Sequence, residues 1–204
     1  MKINLTGKTF GCLGLKGTGK STLADKILTE YGAQALYYDT LHEAPLESPF
    51  DIYQPKDRYS VTELEDVIRA ITPTNASTLP KYRLFVVDEM NRFAPSKPSP
   101  LPRVVADLND QCRHYLMTFG FIARRPSQLN QDLTELSDYL FIFRLTGKND
   151  IAYLNDTSNG LGDAVLSLKN FEFVIVNPDK SFSISSPIAP EKDWVSRAKH
   201  LIDR

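Results

Sequence analysis

Eight consecutive residues, Gly14-Leu15-Lys16-Gly17-Thr18-Gly19-Lys20-Ser21, satisfy the spacing G-x-x-x-x-G-K-[ST] without a substitution. Glycines at these positions let the backbone curl so that successive N–H groups point inward at an anion. A helix opening at the lysine adds the positive end of its dipole. In such a loop Lys20 reaches the β- and γ-phosphates of ATP, and the Ser21 hydroxyl ligates Mg²⁺. Gly14, Leu15, Lys16, Gly17, Thr18, Gly19 and Thr22 complete the cradle. At average composition the pattern arises by chance in roughly one chain of this length in a hundred, so its surroundings matter. It follows the apolar run Thr9-Phe10-Gly11-Cys12-Leu13 and opens a stretch in which Leu23, Ile27, Leu28 and Tyr31 share a helical face. Strand, glycine loop and helix is the context a phosphate cradle requires.

A second chemical cluster is Val86-Val87-Asp88-Glu89, at the end of an apolar run from Tyr82 to Val87. An acidic residue at the carboxyl end of a strand beside a phosphate loop is placed to hold Mg²⁺, which is the role predicted for Asp88, through the ion's water shell. Glu89, one position further, can polarise a water and aim it at the γ-phosphorus. A hydrolase needs such a group, whereas a transferase that must exclude water is harmed by it. Glu89 is therefore the predicted catalytic carboxylate.

The elements that must position these groups alternate in type, which argues an α/β fold around a mostly parallel sheet. Further strands are predicted at Ala35-Leu36-Tyr37-Tyr38, from Met117 to Ala123 and at Tyr139-Leu140-Phe141-Ile142-Phe143. Ser60-Val61-Thr62-Glu63 reads as a capping box ahead of an amphipathic helix carrying Leu64, Val67, Ile68 and Ile71. Val104, Val105, Leu108, Cys112 and Tyr115 form the stripe of another helix, and Leu129, Leu133 and Leu136 mark a short one. Residues 41–58 read as irregular. A terminal hairpin is predicted, Phe171 to Val176 against Ser181 to Ser185, turning at Asn177-Pro178-Asp179.

Bulk properties exclude several classes. The 204 residues, 42% hydrophobic and 24% charged, fit one globular domain spanning 1–204, and no apolar run is long enough for a membrane span. The N-terminus lacks the apolar core of a signal peptide. Cys12 and Cys112 sit in apolar patterns and read as core thiols, which points to a cytoplasmic compartment. A net charge of −1 means that nucleic acid would have to be met by a local basic patch. Asp39, Asp156, His42, His114 and His200 show no catalytic or metal-ligating spacing and read as turn and surface residues.

Three segments together carry a resemblance. Val86-Val87-Asp88-Glu89-Met90-Asn91-Arg92-Phe93-Ala94-Pro95 resembles the Walker B segment of the HerA–FtsK superfamily of DNA-pumping ATPases. Ala123-Arg124-Arg125-Pro126-Ser127-Gln128-Leu129 resembles that superfamily's fourth-strand motif, and Arg144-Leu145-Thr146-Gly147-Lys148-Asn149-Asp150 the segment after its fifth strand. The likeness runs from about Thr9 to Val176, in order and at compatible spacings. The short length is most similar to the genome-packaging ATPases of tailless icosahedral viruses with an internal membrane.

The resemblance implies a RecA-like, three-layer αβα fold of the additional-strand type with a catalytic glutamate, its phosphate-loop strand near the centre of the sheet. It implies a homo-oligomeric ring, a pentamer or hexamer, with ATP at each subunit boundary and a neighbour's arginine completing the site. Arg113 aligns with the position given that trans role. Double-stranded DNA, gripped without regard to sequence, and capsid or vertex proteins are the implied partners, in the host cytoplasm or on the virion. The superfamily usually carries a glutamine at the end of the fourth strand as a γ-phosphate sensor. Here Arg124 stands there, and Arg125 or Gln128 are alternative bearers of that role. Arg92, Lys97 and Arg103, on the proline-stiffened loop after Asp88, are the first candidates for phosphate-backbone contact. Two other readings compete. A P-loop small-molecule kinase would have no use for Glu89, and a phage extrusion ATPase acting on protein would usually carry a membrane span.

Overall fold

The computed structural model describes residues 3–45, 47–74 and 78–189. His200 lies outside them. In chain order the strands are β1 (Thr9–Leu13), β2 (Ala35–Tyr38), β3 (Asp51–Tyr53), β4 (Leu84–Val87), β5 (Thr118–Ala123), β6 (Tyr139–Phe143), β7 (Phe173–Val176) and β8 (Phe182–Ser185). The helices are α1 (Lys20–Tyr31), α2 (Val61–Ile71), α3 (Arg103–Gln111), α4 (Gln131–Glu135), α5 (Lys148–Thr157) and α6 (Leu161–Ser167). The strands form one sheet in the order β3-β2-β4-β5-β1-β6-β7-β8, parallel from β3 to β6, with β7 and β8 added antiparallel as the terminal hairpin.

The sheet is buried on both faces, as parallel sheets are, so its inner strands are apolar without alternation. Successive side chains nevertheless enter two different cores. Phe10, Cys12, Tyr37, Val86, Ile122 and Phe141 join Leu23, Ala24, Ile27 and Leu28 of α1 on one face. Leu13, Tyr38, Val87, Phe121 and Leu140 join Leu64 and Ile68 of α2, Val105 and Leu108 of α3, Leu154 of α5 and Val165 of α6 on the other. Helix, sheet, helix is the predicted three-layer arrangement.

The central pairing of β1 with β5 rests on a reciprocal exchange of size. Register sets Phe10 opposite Gly120 and Gly11 opposite Phe121. The Phe10 ring covers Gly120, where a Cβ would lie 2.3 Å from Cζ, and the Phe121 ring covers Gly11 at 2.6 Å. Each aromatic ring fills the space its glycine partner leaves, one on each face.

Several local expectations are corrected. Residues 41–58 contain β3, a three-residue edge strand with no fully buried position. Ser60 Oγ accepts from the Glu63 N–H (3.1 Å), but the Glu63 carboxylate does not return the bond. It accepts instead from the Tyr53 hydroxyl and from the N–H groups of Lys56 and Asp57, tying α2 to the loop after β3. Leu136 is 60% exposed and is not part of the α4 face. Asp39 is fully buried, contrary to its reading as a surface residue. Its carboxylate accepts from the N–H groups of Glu43 and Ala44 and from the Gln54 amide, because the chain leaving β2 turns back over it. Both cysteines are buried free thiols, Cys12 pushed up by burial to about 12 and Cys112 to about 11.

Candidate phosphate-loop site

The loop between β1 and α1 hangs from the ends of both neighbouring strands. Gly14 N–H donates to Ala123 C=O (3.3 Å) at the end of β5, and Leu15 N–H to Arg144 C=O (3.4 Å) just after β6. Gly14, Gly17 and Gly19 all have positive φ (148°, 77° and 108°), a conformation other residues adopt only under strain. The loop is also stapled internally. Thr18 Oγ1 and Lys20 Nζ both donate to the Leu15 carbonyl, each at 2.8 Å. Lys20 is 8% exposed, and burial lowers its pKa while Glu89 and then Asp88 raise it.

Asp88 and Glu89 leave β4 toward the same edge. The Glu89 backbone sits at φ 51°, a left-handed conformation for a non-glycine residue, and its N–H donates to Asp88 Oδ1 (2.9 Å). Asp88 is buried, and burial first, then Glu89, pushes its carboxyl up to about 6. Tyr37 of β2 lines one cavity with Asp88, and its hydroxyl partly offsets that rise. Left-handed backbone outside glycine clusters where geometry serves chemistry.

Arg124, at the end of β5, donates through Nε to Glu89 Oε1 (2.8 Å). The Asn91 side chain joins the same two elements. Its Oδ1 accepts from Arg124 N–H (2.9 Å) and its Nδ2 donates to Arg125 C=O (3.1 Å). Arg125 points elsewhere. Its Nε donates to Asp150 Oδ2 (2.9 Å), and Asp150, 1% exposed, also accepts from Ser127 N–H and Oγ. That ion pair, buried at its carboxylate and half-exposed at its guanidinium, fastens the β5 exit to α5. Of the three sensor candidates, Arg124 is thus the one directed at the glutamate, and the Gln128 side chain is exposed.

Lys20, Ser21, Asp88, Glu89 and Arg124 therefore share one edge of the sheet. Arg113 does not. It is exposed in the turn between α3 and β5, with its backbone beside Gly7 at the edge where the strands begin, opposite the phosphate loop of its own chain. Lys97 pairs with Asp132 (2.9 Å), Arg103 lies 3.9 Å from Asp107, and the Arg92 guanidinium lies over the Tyr59 ring. Sequence reasoning missed Tyr37 and Asn91, whose roles depend on strands brought together only by folding.

The donor set suits a magnesium ion bound with a phosphate. Among the described residues no group of three or more His, Cys, Asp or Glu side chains could hold a metal alone. The Ser21 hydroxyl on the first turn of α1 would supply one oxygen, the buried Asp88 carboxylate would act through the ion's water shell, and phosphate would supply the rest. A cavity of about 810 Å³ opens over the loop and the first turns of α1, lined among others by Lys20, Ser21, Thr22, Asp88, Phe143 and Phe171. Among the described residues no helix is long and apolar enough to cross a membrane.

No protein-family profile and no curated protein matches the chain. Solved structures do. The genome packaging NTPase B204 from Sulfolobus turreted icosahedral virus 2, in complex with sulfate, is similar with a TM-score of 0.76 at 15% identity, over 93% of this chain and 100% of that one. The same protein in complex with AMPPCP is similar with a TM-score of 0.74 at 16% identity, over 91% and 100% of the two chains. The N-terminal domain of zonular occludens toxin from Neisseria meningitidis is similar with a TM-score of 0.53 at 12% identity, over 90% and 95%. At these identities the likeness establishes a shared fold, an α/β sheet of the phosphate-loop NTPase type.

Proposed function

We propose that the chain is an ATP-hydrolysing motor that translocates double-stranded DNA and packages a viral genome into a preformed capsid. The observation that carries the reading is the meeting of Glu89 and Asp88 with the Lys20–Ser21 helix start at one edge of the sheet. Gly14–Ser21 cradle the phosphates, Lys20 releases the Leu15 carbonyl to reach the terminal ones, and Glu89 orients water. Magnesium held by Ser21 and Asp88 would offset the charge that builds on the departing phosphate. Arg124, paired with Glu89, couples the end of β5 to that carboxylate and is the proposed sensor of the γ-phosphate.

In a homo-oligomeric ring Arg113 acts across the subunit boundary, which accords with its distance from the loop of its own chain. A trans arginine is worth on the order of 10³–10⁵ in rate in other phosphoryl-transfer systems. Lys97, Arg103 and Arg92 face DNA from the segment that follows Glu89, and exposed ion pairs such as those of Lys97 and Arg103 exchange readily for phosphate contacts. The similar fold of a packaging NTPase supports the reading, as does the order of the three motif segments.

ATPase rates of wild type, Lys20→Ala and Glu89→Gln, each with and without duplex DNA, test it. Wild type should be stimulated by DNA. Lys20→Ala should lose nucleotide affinity, and Glu89→Gln should bind ATP with turnover reduced at least a hundredfold. Hydrolysis indifferent to DNA removes the motor and leaves the kinase and extrusion readings. Mixing Arg113→Ala with Lys20→Ala chains should restore part of the activity, and a mixture that stays inactive while rings form rejects the shared site.

A further inference from the structure

The phosphate loop has two unlike flanks. The strand order puts β5 and β4 on one side of β1, and β6 with the terminal hairpin on the other. The first flank carries Asp88, Glu89 and Arg124. The second is apolar where it reaches the loop: Phe143 ends β6, Phe171 precedes β7, and Pro187 to Ala189 leave β8 at the same edge of the sheet. The cavity over the loop is lined by residues from both flanks. A triphosphate bound here turns its terminal phosphate toward Lys20, Ser21 and the carboxylates, so its base leaves toward the apolar flank.

Phe171 is conspicuous there. It is 54% exposed, so its ring gains little from burial in the fold. It nevertheless holds a left-handed backbone (φ 65°) at the third position of a turn closed by Glu172 N–H to Lys169 C=O (3.2 Å) and by Lys169 N–H to the Glu172 carboxylate (2.8 Å). Turns with positive φ at that position ordinarily take glycine, because a side chain there is strained. The ring reaches the loop itself: its Cδ1 lies 3.6 Å from where a Cβ on Gly19 would stand, close to Phe143 Cε1 at 3.1 Å from the same point. Both rings line the cavity, Phe143 as a buried residue and Phe171 as the exposed one.

We propose that Phe171 is the stacking platform for the base of the nucleoside triphosphate whose phosphates Gly14–Ser21 hold, an assignment that rests on the nucleotide-binding reading above. The strained turn aims a flat apolar surface at the side of the loop where the base emerges. A ring stacks on the π-face common to all bases, so the platform supplies affinity for the nucleoside without choosing strongly among bases.

Calorimetric titration with a non-hydrolysable ATP analogue and with inorganic tripolyphosphate, both with Mg²⁺, tests the assignment on wild type, Phe171→Gly and Phe171→Trp. Glycine removes the ring and the backbone strain together, so that variant should melt at or above the wild-type temperature. Its affinity for the analogue should fall roughly 5- to 50-fold while tripolyphosphate binding stays within about twofold. Tryptophan should bind the analogue as tightly as phenylalanine. Wild type binding both probes, with Phe171→Gly weakening neither or both equally, overturns the platform alone. Wild type binding neither probe overturns the nucleotide-binding reading and the platform with it.

Discussion

Replacing Asp88 by asparagine is expected to strengthen the fold while removing the metal site. Asp88 is 7% exposed, and burial together with the neighbouring Glu89 pushes its carboxyl from 3.8 to about 6. The folded chain therefore favours the protonated form. Below pH 3.8 the carboxyl is protonated in both states and the stability it confers is intact. As the pH climbs through about 6 the unfolded carboxyl ionises freely while the folded one resists, so stability falls across that window and stays lower above it. A shift of about two units corresponds to roughly 3 kcal/mol at neutral pH. Asparagine keeps an oxygen for the Glu89 N–H but loses the attraction between Asp88 and Lys20. Discounting about half for that leaves a gain of roughly 1–2 kcal/mol, or about 3–6 °C for a chain of this length. Thermal melts of both proteins in a metal chelator should coincide near about pH 4 and separate by that amount near about pH 7. An asparagine variant that melts below wild type at neutral pH, or a gap that does not change with pH, refutes the reasoning. Added Mg²⁺ with a non-hydrolysable analogue should stabilise wild type and not the variant.

Arg125→Ala leaves the buried Asp150 with Ser127 alone and should cost about 2–3 kcal/mol in urea unfolding. Adding Asp150→Asn should recover most of that loss, and a single-variant cost below about 1 kcal/mol would contradict the pairing. Gly120→Ala drives a methyl into the Phe10 ring and should lower stability by roughly 1–3 kcal/mol, with Phe10→Leu in the same chain relieving it. Equal stability of Gly120→Ala and wild type would show that the ring yields freely. Ser60→Ala should cost about 1 kcal/mol through loss of the bond to Glu63 N–H, while Ser60→Asp should retain stability, both by chemical denaturation.

Legibility in the sequence tracked how many apolar positions each element owns. β1, β4, β5 and β6 are runs of four to six residues almost wholly buried, so composition alone marks them. α5 and α6 went unread because each buries only two or three residues, among them Asp150 and Gly162, which carry no apolar signal. β3 is three residues long, and pairing with β2 rather than its own pattern makes it a strand. Asp39 looked like a turn residue, and it does initiate a turn, but the chain folds back over it and hides the carboxylate.

The amino-acid order by itself determined the phosphate loop, the acidic strand end and the alternation of helix and strand, because each is a local matter of backbone freedom, charge and periodicity. Tertiary structure alone decided which arginine meets Glu89, since Arg124 and Arg125 are adjacent in sequence and on leaving β5 turn to opposite partners. It also decided that Tyr37 and Asp88 line one cavity and that Phe171 reaches Gly19. Those contacts join residues whose separation along the chain carries no signal, and they arise because the parallel strands deliver their carboxyl ends, and antiparallel β7 its amino end, to one edge of the sheet.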